Sequence, residues 1–263
     1  MAAMLSQAKP CPAMRCSCES RIIVILGLKD KKGYTICRKL PCTSTYLKEA
    51  IAAWKGPNPP VVEIRWSNEQ TFQTYHHWLL TREVRTNNDR NGTTQNATAY
   101  YNDLIKCGTF GDLIKDNLFQ DMIMSAFTGR LRQPSGDQYC FIAALTMETL
   151  KLVYDTVLPG SPLRQIIPDV VGRFATVASF ESMKKATGLP RDFIIDSMVA
   201  AVKERDRLKA ALKETSECAI EPAKRVRFKG EIPQPQGFAP NECVYHLHNK
   251  DGQPCWRVQL HTW

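Results

Sequence analysis

The chain changes its hydrophobic period, and that change limits the folds open to it. Before the polar loop at 86–98, short β-branched or alternating runs are interleaved with helical spacing; beyond it the apolar residues recur at three- and four-residue spacing alone. "RIIVILGL" (21–28) ends at the polar turn "KDKKG" and leads into "YTICRKL" (34–40), where Tyr34, Ile36 and Arg38 alternate with Thr35, Cys37 and Lys39. Two such strands with a short polar connection predict a β-hairpin. "TSTYLKEAIAAW" then places Tyr46, Leu47, Ala50 and Ile51 at helical spacing, with Thr43 or Ser44 as N-cap. "PPVVEIRW" (59–66) predicts a third strand, entered through prolines that cannot donate to a ladder.

The same αβ segment closes with "TFQTYHHWLLTREV" (71–84), which holds two adjacent histidines between a tyrosine and a tryptophan. Ser67 and Gln70 have capping-box spacing. Phe72, Tyr75, His76, Leu79 and Leu80 fall on one buried stripe, and His77 and Trp78 flank it on opposite sides. Neighbours on a helix do not face each other, and a catalytic base needs a partner that no nearby motif supplies. The segment therefore reads as packing. "TNNDRNGTTQNAT" (86–98) is a polar loop, followed by a helix that stops near Gly108 and another that begins near Asn117, with Phe119, Met122, Ile123, Ala126 and Phe127 on one face. Asp112, Asp116 and Asp121 have the spacing of caps and a solvated face. "YCFIAALTMETLKLVYDTV" predicts a further helix; Ser161 and Pro162 form an N-cap and N1 pair. Behind them Leu163, Ile166, Ile167, Val170, Val171 and Phe174 make a long apolar stripe that Pro168 is expected to kink. Residues 189–214 begin apolar and end as a charged, solvated helix.

A length of 263 residues with 43% hydrophobic content suits one or two globular domains. No apolar run is long enough to span a bilayer, and the first twenty residues hold no uninterrupted apolar h-region, so the expectation is an intracellular protein with no membrane partner. Sequons at Asn91 and Asn96 carry little weight in that setting. The ten cysteines are spread along the chain, and Cys37, Cys107 and Cys140 sit in apolar stretches, which favours buried free thiols over a disulfide framework. The net charge of +9 points to acidic partners, but its excess is diffuse. Its densest run, "AKRVRFKG" (223–230), lies among prolines and polar residues and reads as a solvated linker; the competing reading is a nuclear-import or nucleic-acid patch. There is no P-loop, dinucleotide fingerprint, G-x-S-x-G elbow or HExxH, so an enzyme has no positive support in motifs.

Near the C-terminus, "CVYHLHNKDGQPC" (243–255) brings together Cys243, His246, His248 and Cys255, two thiols and two imidazoles of the kind that hold tetrahedral zinc. In an extended "VYHLH" the two histidines project from the same face, and "NKDGQP" can turn Cys255 back toward them. The spacing is not that of a standard finger. A structural zinc site stands against a surface hairpin with incidental histidines and free thiols. Cys11, Cys16 and Cys18 could add ligands, though exposed thiols on an arm are the simpler reading.

Taken in order, several segments resemble the BTB/POZ domain. "YTICRKL" is similar to the family's aromatic-x-hydrophobic-His-x-x-Leu strand, with Cys37 where histidine is usual; "CTSTYLKEAI" resembles the following Ser-x-Tyr/Phe-Phe helix through Ser44, Tyr46 and Leu47. Phe72, Tyr75, Trp78, Leu79, Leu80 and Thr81 match the Phe-x-x-Tyr-x-x-Trp-Leu-Tyr-Thr segment, "LIKCGTFGDLIKDNLFQD" the Phe-Gly-Asp helix pair, and "VYDTVLPGSPLRQII" the Tyr-x-x-Thr-x-x-x-Ser-Pro-Leu-Arg signature of a fungal helical extension. The resemblance implies an α+β fold with a small β-sheet flanked by helices over 19–130 and an α-helical extension over 131–215. A mobile arm (1–18) would precede it, and a Pro/basic linker with the Cys/His tail (216–263) would follow.

It implies a non-enzymatic protein–protein interaction module in nucleus or cytoplasm, either a dimerising scaffold or a substrate adaptor for a cullin-type ubiquitin ligase. Its partners would be other proteins, a second copy or a cullin scaffold. No glutamate occurs between Glu83 and Glu148, where cullin adaptors carry a hydrophobic-x-Glu element, and the first strand lacks the buried Asp of many dimeric animal members. From a different class, the alternative is a nuclear DNA- or chromatin-associated regulator that uses 223–230 and the Cys/His tail.

Overall fold

The computed structural model describes residues 21–27, 31–40, 43–65, 68–86, 88, 96–132, 137–184 and 188–218. They form a mixed α+β structure, mostly helical, around one three-stranded sheet. Two compact units divide it, one running up to Ala126 and the other starting at Phe127.

In the first unit, β1 (Arg21–Leu26) is the central strand. Its apolar run fits that position, because Ile22, Ile23, Val24 and Leu26 are buried with a neighbour on each edge. β2 (Lys32–Cys37) pairs with it antiparallel from Arg21 opposite Cys37 to Leu26 opposite Lys32, the expected hairpin. The second strand starts two residues before Tyr34 and stops at Cys37, where the Leu40 amide bonds back to the Cys37 carbonyl; Arg38 and Lys39 lie in this turn and do not continue the alternation. α1 (Thr45–Ala53) leads to β3 (Val61–Ile64), which pairs parallel to β1 and buries Val62 and Ile64.

α2 (Glu69–Thr81) begins at Asn68, whose side chain accepts from the Thr71 amide. Ser67 lies outside the described residues, and Gln70 does not reach back as a capping box requires: its amide donates to Asp103, 3.2 Å away. The buried face of α2 is also broader than the expected stripe. Thr71, Phe72, Thr74, Tyr75, Trp78 and Leu79 are buried while His76 and Leu80 are only half-buried, so Trp78 is a core residue and not a flank.

α3 (Ala97–Leu113) is capped by Asn96 and runs through Gly108 without stopping. Gly111 serves packing: a Cβ there would lie 2.8 Å from Gln120 Cγ and 3.1 Å from Phe119 Cδ1. The helix ends in a Schellman turn, with Lys115 left-handed (φ 51°), its amide bonded to the Asp112 carbonyl and the Asp116 amide to that of Gly111. α4 (Asn117–Leu131) starts immediately afterwards.

This turn ties the unit together. The Ser44 hydroxyl donates to the Ile114 carbonyl (2.7 Å), and the first amides of α1, Thr45 and Tyr46, donate to the Lys115 and Ile114 carbonyls. Orphan donors of one helix thus meet orphan acceptors of another. Asp116, fully buried, accepts from the Phe119 amide (3.1 Å), the Tyr75 hydroxyl (2.9 Å) and the Thr43 hydroxyl (2.8 Å). The expected cap is there, but Asp116 and Asp121 are both buried, so neither belongs to a solvated face.

In the second unit, the single helix expected over 139–157 is two, α5 (Asp137–Ala144) and α6 (Met147–Thr156). Thr146 breaks it, adopting extended backbone and capping α6 through the Thr149 amide. α7 (Pro162–Phe174) starts at Ser161 and Pro162 as expected and continues as one helix across Pro168, burying Leu163, Ile166, Ile167, Val170 and Val171. α8 (Val177–Lys184) is a helix that the sequence pattern did not indicate. α9 (Arg191–Cys218) closes the described part of the unit.

Burial holds the Asp116 carboxyl above the usual carboxylate range, although the Thr43, Phe119 and Tyr75 hydrogen bonds pull it down. Asp116→Ala removes a cap and strands two hydroxyls, and is expected to lower stability by about 2–4 kcal/mol in urea unfolding. Asp116→Asn should cost less. Because the folded pKa is raised, the contribution of this carboxyl is fully present below its unfolded pKa and is lost as pH rises through the folded value. The stability difference between native protein and Asp116→Asn should therefore shift in favour of the native protein on acidification.

Candidate functional site

The histidine pair is built into the α2 core. Tyr75 packs against Trp78, Phe110 and Phe119 at ring distances of 5.7, 5.3 and 5.0 Å, and the Arg82 guanidinium lies 4.7 Å above Trp78. His76 stacks on Phe72 with planes 5° apart, and its Nε2 is buried without a hydrogen-bond partner. Burial, and secondarily the charge of His77, lower its pKa. A stacked ring with an unpartnered nitrogen and a depressed pKa favours packing.

A more open constellation lies in the second unit, between α7 and α9. The two helices run side by side in the same direction: Arg164, in the first turn of α7, meets Asp192 and Asp196, while Arg173 near its end meets Glu204. Gly172 makes the approach possible, since a Cβ there would stand 2.7 Å from the Ala201 nitrogen and 2.8 Å from the Ala200 carbonyl carbon.

Arg164 is 8% exposed and organises one end of this pair. Its guanidinium donates to the Val157 carbonyl and to Asp192 Oδ2, both at 3.3 Å, reaches Asp196 at 4.0 Å and lies 4.4 Å above the Tyr154 ring. A planar, permanently charged fork suits simultaneous stacking and carboxylate pairing better than an ammonium. Tyr154 donates to Asp196 (3.3 Å), and its hydroxyl pKa is pushed up, first by burial and then by the Asp196 charge.

Next to this cluster, α7 and α9 leave an open groove of about 560 Å³. Among the described side chains of α9 only Phe193, Ser197 and Ala200 are buried, while Ile194, Ile195, Met198, Val199 and Val202 are 42%, 46%, 65%, 48% and 47% exposed. The apolar start expected for this helix is real, but most of it faces away from the core.

Cys243, His246, His248 and Cys255, the run 223–230, and Cys11, Cys16 and Cys18 lie outside the described residues. Among the described residues no group of three or more His, Cys, Asp or Glu side chains is placed to hold a metal ion, and no helix is long and apolar enough to cross a membrane. Cys37, Cys107 and Cys140 are free thiols; Cys107 is enclosed, and burial pushes its pKa up to about 12. Sequence reasoning missed Arg164, Asp192, Asp196 and Gly172 as a set. One signal was available, since Asp192 and Asp196 are four apart and share a helix face.

No protein-family model matches the chain, and no curated protein matches it.

Gly172→Ala is expected to force α7 and α9 apart and to lower stability by about 2 kcal/mol in urea unfolding, because the obstacle is backbone and cannot rotate away. Asp192→Asn, whose side chain is 67% exposed, should cost less than about 1 kcal/mol by the same measurement.

Proposed function

We propose that the chain is an intracellular, non-enzymatic protein-interaction module that docks partners on its helical second unit. The exposed apolar half of α9 carries this reading. Five aliphatic or thioether side chains within nine residues face solvent on a helix that packs inward through Phe193, Ser197 and Ala200, and contiguous exposed apolar surface of that kind marks an interaction site. Two further features support it. The order β2-β1-β3, with α1 between the second and third strands and the aromatic α2 packed behind, agrees with a BTB/POZ-like first unit. Helices following that unit agree with the extension seen in the fungal type, and the resemblance adds homodimerisation and attachment to a cullin scaffold as possible roles.

The test compares tagged full-length protein with a variant carrying Gln at Ile195, Met198, Val199 and Val202, captured from cells that express the protein. Glutamine keeps helix propensity, and circular dichroism checks that the fold is retained. Proteins captured by the native chain and lost from the variant are the expected result, and a cullin among them would assign the adaptor role. Identical captures from both, or none, would overturn the reading.

A further inference from the structure

We propose that the chain's own C-terminal stretch "WRVQLH" (256–261) adds to the sheet as a fourth strand along the open edge of β2, an inference independent of the α9 reading above. Hydrogen-bond parity identifies the edge, because successive residues of a strand turn their amides and carbonyls to opposite sides. The Ile23 amide bonds to the Pro60 carbonyl and the Gly27 amide to that of Ile64, so odd residues of β1 face β3 and even ones face β2. Ile22 lies opposite Ile36, Val24 opposite Tyr34 and Leu26 opposite Lys32, which leaves the backbone groups of Gly33 and Thr35 directed outward. No hydrogen bond from the described residues reaches them.

The opposite edge of the sheet is closed, since the outward carbonyl of Glu63 on β3 takes the Tyr46 hydroxyl of α1 at 3.3 Å. β2 has none of the devices that blunt an edge. Its register runs without a bulge, it holds no proline, and its Lys32 ammonium is drawn to Glu69 of α2.

The rows of side chains select the occupant. Tyr34 turns toward α2, its ring 5.0 Å from that of Phe72. On the other face Thr35, Ile23 and Val61 form one row and Gly33, Ile25 and Glu63 the next. Ile25 and Val61 are half-buried there, and a Cβ on Gly33 would meet nothing within 4 Å. A large apolar side chain across from Gly33 fills that space and covers Ile25, as aromatic residues do beside edge glycines. In 256–261 Trp256, Val258 and Leu260 alternate with Arg257, Gln259 and His261, over the same six-residue length as β2, and Pro254 suits the approach to a strand. The run 225–229 also alternates, but it would set Arg225, Arg227 and Lys229 beside Arg38 and Lys39, the exposed cations that follow β2. Residues 219–255 join α9 to the proposed strand and extend to roughly 120 Å, several times the radius of a domain of this size. The tether raises the local concentration of the strand toward the millimolar range, which favours it over a second copy or a free peptide.

The test is amide hydrogen exchange on the full chain, read at Gly33 and Thr35. Both amides should exchange at least about a hundredfold more slowly than in an unstructured chain. Because alternate amides face opposite edges, one of Arg257→Pro and Val258→Pro removes a bond to β2 whichever way the strand runs. That variant should speed exchange at Gly33 and Thr35 by about tenfold or more, while Tyr34 and Ile36, bonded to β1, stay protected and report that the sheet is folded. Unprotected Gly33 and Thr35 in the native chain overturn the proposal, as does protection that neither proline touches. Protection that falls on dilution overturns it by assigning the edge to a second copy, and protection lost with Val226→Pro instead overturns it by assigning the edge to 225–229.

Discussion

A carboxylate taken out of water must be given partners or be neutralised, and in the first unit that demand draws distant parts of the chain to one point. Asp116 takes a proton donor from the start of α4, another from the middle of α2 and a third from the residue before the α1 cap. The carbonyls next to it, on Ile114 and Lys115, receive the amides that open α1. Helix ends that would otherwise need water satisfy each other inside the unit. The aromatic cluster then fills the space that this knot defines, with Tyr75 belonging to both.

The second unit depends on closeness instead of charge. With no side chain at Gly172, the α7 backbone comes against that of Ala200 and Ala201, and the apolar stripe of α7 is covered without help from the outer flanks of α9. Tight contact on a narrow seam is what leaves Ile195, Met198, Val199 and Val202 in solvent. The same seam sets the separation at which Arg164 bridges to Asp192 and Asp196, so that bridge and the groove beside it depend on one missing methyl group.

Much of this was legible in the order of residues. The β-branched run 21–28 marked a hairpin strand, Thr43 or Ser44 the cap of α1, and Ser161 with Pro162 the start of α7, because each depends on local backbone chemistry. What periodicity could not convey was context. Gly108 suggested a stop, yet α3 runs on to Leu113 with Gly108 and Gly111 both buried, a tertiary setting invisible along the chain. Apolar spacing ran through Thr146 and hid the break that its hydroxyl makes. The groove was illegible for the same reason, since Arg164 and Asp192 are joined only by the packing of two helices.

α9 is 28 residues long, about 42 Å, whereas α7 has 13 residues and ends near the level of Glu204. Past that level α9 no longer has α7 beside it, and residues 205–213 are exposed. The geometry is that of a lever with its fulcrum at Gly172, where Ala200 and Ala201 bear on the α7 backbone. A small tilt at the fulcrum barely moves Val199, which is beside it, but swings Leu212 through an arc several times larger. Mechanically, the helix converts a change of seating against α7 into displacement at its far end.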